Sequence, residues 1–394
     1  MKKSVLFTAL ASVVLVGCVS EEVTDLGEKS KAKIAFDAPV MYSNENSRAN
    51  VYGEVGSHVY GGQQYSYPRE ENFVIYGVSH EGDFAGWNSG TPAVFSGTAI
   101  SYDNDLDGWA PKTETGGYYY WESGKKMTFA ACSPADLEQE NWREGDNNRT
   151  YGATGLTITN FEVNEDAAKQ YDLLFSTRAC NQTSSDMQQS ASYYSGIPIK
   201  FQHALSSVRF SIANSSPETV VLTGITLAGV KYKGTFNENI VEQPSNYAQY
   251  ERGDAGNVNP AWEVAADVIS TPYMAFQGSV TFHSNPRYVS ALVEEANIDT
   301  NVCNQLLLMP QELTEDVVLT VNYTVNGTPN HKEVQLSNLL SGEGDVKTPI
   351  NEWEMGKRYT YRLYYSSATA DRDKIYFAPS TTEWQDVDVI IVEL

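Results

Sequence analysis

Residues 317–325 read VVLTVNYTV. Val317, Leu319, Val321, Tyr323 and Val325 fall on one side of an extended chain, and Val318, Thr320, Asn322 and Thr324 on the other. Successive side chains of a strand point to opposite faces, so a period of two predicts a β-strand with one face in a core and the other toward water. Outward from this stretch the chain repeats short apolar runs between turn signals, with no helical periodicity held over about ten residues. A first set covers 72–78, 93–102, 117–121, 126–131, 155–159 and 173–176. A second covers 199–212, 220–227, 230–236, 279–282, 306–309, 317–325, 332–336, 359–365 and 387–392. Many short strands with closely spaced turns read as sandwich or barrel. The fold class expected is all-β, with two β-sandwich domains, 33–190 and 191–394, meeting at the Ser-, Gln- and Tyr-rich stretch around 182–197.

The chain has 394 residues and a formal net charge of −23. That charge repels nucleic acid and anionic lipid and favours solubility. With 25 tyrosines, 29 glycines and only four cysteines, the composition suits an exported β protein that relies on packing more than on disulfides. Lys2 and Lys3 precede an apolar run over 5–15 that is too short to span a bilayer, and Leu15-Val16-Gly17-Cys18 follows directly. Basic, apolar and small-small-Cys segments in this order resemble the lipobox of bacterial lipoproteins. The reading is a signal peptide over 1–17, acylation of Cys18, and an acidic tether over 18–32 that leads from the lipid to the fold. Cys132, Cys180 and Cys303 show no metal-ligand spacing and read as small core or surface residues.

After the tether, Ile34, Phe36, Ala38 and Val40 alternate with Ala35, Asp37 and Pro39, which predicts a first strand with one buried face. Burial of its larger side chains is worth about 1.5–3 kcal/mol each. Their sum is comparable to a domain's net stability of about 5–15 kcal/mol. The polar loop 43–50 (SNENSRAN) follows and carries Arg48, the first arginine after the strand; Arg69 is the next. At the other end, Val387, Val389 and Ile391 form an alternating apolar face within QDVDVIIVEL (385–394).

Several stretches together carry a family resemblance: YYYWESGKKMTFAACSP (118–134), DLLFST (172–177), IPIKFQHALSSVRFSI (197–212), LLLMPQELTEDVVLTVNYTV (306–325), WEMGKRYTYRLYY (353–365) and IYFAPSTTEWQDVDV (375–389). In this order they resemble the fimbrillin-like lipoproteins of Bacteroides-type bacteria, the precursors of type V pili. The resemblance implies two transthyretin-like sandwiches in tandem, export to the outer membrane as a lipoprotein, and assembly into surface fimbriae that contribute to cell adhesion. It implies that an arginine-specific protease cuts the loop, with Arg48 the candidate site, and releases the strand carrying Ile34, Phe36, Ala38 and Val40. A neighbouring pilin's C-terminal strand then fills the groove, and in this chain Val387, Val389 and Ile391 would be the donor face. The polymer could be of one subunit or several, with a host or bacterial surface ligand, and a tip or anchor role is the alternative to a stalk role.

Two other readings compete. DNDLDGWAPKTE (103–114) matches the spacing of an EF-hand calcium loop, with Asp103, Asp105 and Asp107 as ligands, Gly108 at the turn and Glu114 as closing carboxylate. Its flanks are strand-like where an EF-hand needs helices, so the competing reading is a solvated hairpin loop built by turn chemistry. Seven tryptophans would permit a glycan-binding surface lipoprotein instead, with Trp87 and Trp109, both in polar surroundings, as the platforms. The chain is not expected to be an enzyme. Its five histidines are scattered, His203 reads as a structural hydrogen-bonding residue, and there is no phosphate loop or nucleophile elbow.

Overall fold

The computed structural model describes residues 32–37, 59–60, 63–64, 69, 71–87, 93–135, 148–176, 178–185, 196–199, 201–240, 259–282, 287–289, 306–341, 348–366 and 375–383. Within these residues the fold is all-β, with two short 3-10 turns at Ala167–Lys169 and Leu336–Asn338. Four large sheets carry it. A nine-stranded sheet runs in the order Ile197–Pro198, Phe36–Asp37, Gly108–Ala110, Ala93–Asp103, Phe73–His80, Lys126–Ser133, Leu174–Ser176 and Phe201–His203, with Ala179–Gln182 also beside Lys126–Ser133. A four-stranded sheet joins Ala261–Val264, Lys233–Asn237, Gly155–Glu162 and Asn148–Gly152. A second joins Tyr273–Thr281, Val220–Ala228, Val318–Val325 and Thr328–Gln335. The last sheet has five strands: Arg287–Val289, Ser206–Asn214, Lys357–Tyr365 and Ile375–Glu383, with Leu306–Leu308 also beside Ser206–Asn214.

Alternation decides which faces meet. Leu319, Val321 and Tyr323 are buried, while Thr320 and Thr324 are only partly covered and Asn322 is exposed. This inner face packs on Val208, Phe210, Ile212, Tyr361, Leu363 and Tyr365 of the five-stranded sheet, with the Tyr323 and Tyr365 rings 6.3 Å apart. Together they form a sandwich whose core excludes water on both inner faces. The nine-stranded sheet uses both faces. Val74, Tyr76, Val78, Cys132 and Phe175 pack toward Leu156, Ile158, Phe161 and Phe236, with Phe175 and Phe236 at 5.0 Å. The opposite face holds a separate cluster of Ile34, Phe36, Phe73, Ile75, Phe95, Trp109, Phe129 and Phe201. Rings from one end of that sheet reach its middle and far end, since Phe36 lies 5.0 Å from Phe129 and Phe73 packs on both Trp109 and Phe201. The sheet therefore curls over its own core.

The stretch 182–197 does not partition the ladders. Ile197–Pro198 at its end, and Phe201–His203 and Lys233–Asn237 after it, pair with Phe36–Asp37, Leu174–Ser176 and Gly155–Glu162, which precede it. A polar run marks a loop, but only packing decides which sheet the next strand joins. The stretch 117–121 holds isolated bridges at Tyr118 and Tyr120 and no strand. Gly108–Ala110, Asn148–Gly152 and Ala261–Val264 are strands beyond those expected. Cys132 and Cys180 are buried thiols, and Cys303 lies outside the described residues.

A buried polar group locks the hairpin of Asn148–Gly152 and Gly155–Glu162. Glu238 is 1% exposed, and its Oε2 accepts the Leu156 N–H at 2.7 Å. Gly155 turns at φ +92, where a Cβ would sit 2.3 Å from that same oxygen, so only glycine leaves room for the carboxyl. Arg178 stacks over Phe84, Trp87 and Tyr151 and donates to Tyr151 Oη and to the Gly152 and Ala153 carbonyls. Burial pushes Glu238 up to about 7, against the downward pull of the Leu156 N–H and Arg178. The unfolded chain ionises this group near 4.5 and the folded chain only near 7. Its contribution to stability is therefore fully present below the lower value and is lost as pH rises through the upper one. Glu238→Gln is expected to flatten the stability profile between pH 4.5 and 7 by about 3 kcal/mol in urea titrations, with the variant the more stable at pH 8.

Candidate functional site: the slot of the first strand

The first strand lies between two neighbours that are remote from it in sequence. Alternate backbone groups point to opposite sides of an extended chain. On one side the Ile34 N–H donates to the Tyr119 carbonyl at 2.9 Å, the Trp121 N–H donates to the Ala32 carbonyl at 3.0 Å, and Phe36 is in antiparallel register with Trp109. On the other side the Ile197 N–H donates to the Ala35 carbonyl at 2.9 Å, and Phe36–Asp37 runs parallel to Ile197–Pro198. The strand is thus interior to its sheet.

Its side chains complete the curled core. Ile34 is 2% exposed and Phe36 0%. Phe36 meets Phe129 edge-on, and Phe129 also packs against Trp121 and Phe95, at 5.9 and 6.3 Å. Ala35 points to the opposite face and is also buried, at 4%. Gly196 closes the parallel side at φ +151, and a Cβ there would stand 2.4 Å from the backbone of Phe36. The slot thus takes a large, a small and a large side chain in succession, with a wall that touches the main chain itself. Lys33 and Lys112 both lie over the Tyr118 ring, at 3.8 and 3.4 Å.

Of the expected first-strand residues the structure describes Ile34 and Phe36 and buries both. Ala38, Val40, Cys18, Arg48, Val387, Val389 and Ile391 lie outside the described residues. Arg69 is described: it is exposed, stands 3.7 Å from an Asp107 carboxylate oxygen and lies over the Tyr102 ring at 4.6 Å. The slot walls at Trp109, Ile197 and Gly196 were not legible as a site, because their only sequence signals are an aromatic in a polar stretch and a lone glycine.

The two competing readings meet this geometry. In the 103–114 stretch, Asp103 Oδ1 accepts the Asp105 and Leu106 N–H groups at 2.9 and 3.1 Å, and its Oδ2 accepts Tyr118 Oη at 3.0 Å and Lys112 Nζ. The turn at 104–107 joins Ala93–Asp103 to Gly108–Ala110, with Asp107 at φ +49. Glu114 belongs to a second turn, where the Gly116 N–H donates to the Thr113 carbonyl. The carboxylates read as one calcium loop are therefore divided between two turns, and Asp103 already has four protein donors. Among the described residues no group of three or more His, Cys, Asp or Glu side chains could hold a metal ion. The expected glycan platforms are corrected: Trp87 is 8% exposed and Trp109 0%, packed respectively against Tyr151 and Tyr102. Polar sequence neighbours placed these rings in loops but could not show what folds over them. His203 Nδ1 lies 2.5 Å from Asp172 Oδ2, and both side chains are buried, a tie between the strand Phe201–His203 and the segment leading into Leu174–Ser176.

The profile of a family described as fimbrillin-like matches residues 70–384. Among solved structures, the chain is similar to a fimbrial protein from Bacteroides vulgatus, at 15% identity and a TM-score of 0.50, over 90% of this chain and 99% of that one. It is also similar to a cell-adhesion candidate from Bacteroides uniformis, at 10% identity and a TM-score of 0.45, over 90% and 99% of the two chains. No curated protein matches.

Truncation at the slot should weaken the curled core. Phe36→Ala is expected to cost about 3–5 kcal/mol in urea denaturation, as for a fully buried ring. Gly196→Ala should also destabilise, by forcing the first strand away from Ile197, and amide exchange of Ile197 should rise more than that of Val321.

Proposed function

The chain belongs to the fimbrillin-like family, and from that membership we propose that it is a structural subunit of a surface fimbrium, acting in cell adhesion and assembled by strand exchange. Proteins of this family are structural and not catalytic. The observation that carries the proposal is the placement of residues 32–37, buried at Ile34, Ala35 and Phe36 and paired on both sides, yet ahead of every other described strand in chain order. A cut after it interrupts no connection between the other strands. Its loss would leave an apolar slot flanked by two unpaired edges, at Trp109 and Ile197, which only another extended apolar segment could fill.

In this reading Cys18 is acylated and carries the precursor to the outer membrane, and an arginine-specific protease cuts the loop 43–50 at Arg48. Arg69 is the weaker candidate, because its guanidinium is already engaged by Asp107 and Tyr102. The two sandwiches are transthyretin-like domains in tandem, 33–190 and 191–394, with the strands at 197–237 that pair backward tying them together. The run 385–394, with Val387, Val389 and Ile391, is the donor to another subunit's slot, and the lipid is discarded with the first strand. The burial of Trp87 and Trp109 removes the main support for a glycan-binding module.

The test is the N-terminus of protein recovered from fimbriae. Cleavage at Arg48 gives a chain beginning at Ala49, abolished in Arg48→Ala and retained in Arg69→Ala. A recovered chain that still begins at acylated Cys18 would count against release. Deletion of 385–394 should leave export and folding intact and stop polymer growth, read as loss of the high-mass ladder on gels.

A further inference from the structure

On the strand-exchange reading, the slot can be asked which strand it accepts. Ile34 and Phe36 fill one face at 2% and 0% exposure, and Ala35 between them is buried on the other at 4%. The Phe36 ring meets Phe129 edge-on at 5.0 Å, within a core cluster that also holds Phe73, Phe95, Trp109 and Phe201. Main chain and wall touch at Gly196. An occupant therefore needs a large apolar residue, then a small one, then an aromatic, in consecutive positions.

The chain's own donor run does not offer this. Residues 385–394 read QDVDVIIVEL and contain no aromatic and no Gly, Ala or Ser. Whether read forward or backward, every apolar pair two apart encloses Asp388, Ile390, Ile391 or Glu393. A carboxylate at the Ala35 position would be buried without a partner supplied by the strand, and an isoleucine would overfill a site sized for a methyl group. A valine or isoleucine at the Phe36 position would leave part of the ring's volume empty.

We propose that the slot is heterotypic: it is filled by the strand of a different subunit, one that carries a large apolar residue, a small residue and an aromatic in sequence, and not by a second copy of this chain. The run 385–394 correspondingly serves a slot with larger room at its central position. Subunit order along the polymer would then be set by side-chain fit at three consecutive positions.

The test uses the full-length chain, purified in detergent, with a site-specific protease sequence placed in the loop 43–50. After cleavage it is offered fluorescein-labelled peptides, and anisotropy reports exchange into the slot. Peptide 32–41 is expected to exchange. Its Phe36→Val and Ala35→Ile forms, and peptide 385–394, should each bind at least about tenfold more weakly. Peptide 385–394 carrying Ile390→Ala and Ile391→Phe should recover about tenfold. If unaltered 385–394 binds as tightly as 32–41, the heterotypic slot is overturned and strand exchange stands. If no peptide enters, 32–41 included, the strand-exchange reading itself is overturned and the slot's selectivity with it.

Discussion

Phe36 seated against Phe129, on a strand paired at both edges, is the contact on which the curled sheet depends. A sheet that rolls over its own core must bring distant strands together. Here the closing piece is a short segment from near the start of the chain, placed between Trp109 and Ile197. With it in place, neither neighbour presents a free edge along that segment, and the aromatic cluster of Phe73, Phe95, Trp109, Phe129 and Phe201 is complete. The same geometry makes the segment integral to the core although it precedes every other described strand in the chain.

The polar groups inside the fold have a different task. Glu238 beneath Gly155, Arg178 against Tyr151 and the neighbouring carbonyls, and the Asp172–His203 tie all join segments that are far apart in sequence. Trp262 Nε1 donating to the Ala204 carbonyl, and Gln170 Oε1 accepting the Leu307 N–H, each tie a strand to a connecting segment. Buried hydrogen bonds are directional where apolar packing is not, and they fix which strands lie side by side. They are one physical reason that the ladders cross the polar stretch at 182–197.

Individual strands were legible wherever one face is apolar and the other polar. The run at 317–325 gave its strand and its buried face, and 72–78, 93–102 and 126–131 each fell within a residue or two of a strand limit or inside a longer strand. Gly108–Ala110 was obscured because its approach, DNDLDG, reads as calcium chemistry, although the aspartates serve a hairpin turn and an ion pair. Asn148–Gly152 and Ala261–Val264 lack an apolar run and are strands only because Gly155–Glu162 and Lys233–Asn237 give them a partner. The first strand was visible as alternation at Ile34 and Phe36, but the glycine wall at 196 was not.

The sequence alone determined the all-β class, the alternating faces and the first strand's apolar side, because a two-residue period is a local property of an extended chain. It also set out the ordered motifs that the family profile then matched over 70–384. Tertiary structure decided that Trp87 and Trp109 are interior, that strands after residue 190 pair with strands before it, and that Ile34, Ala35 and Phe36 are gripped from both faces. These depend on contacts between residues far apart in the chain, and no local period records which distant surface will come to lie across a side chain.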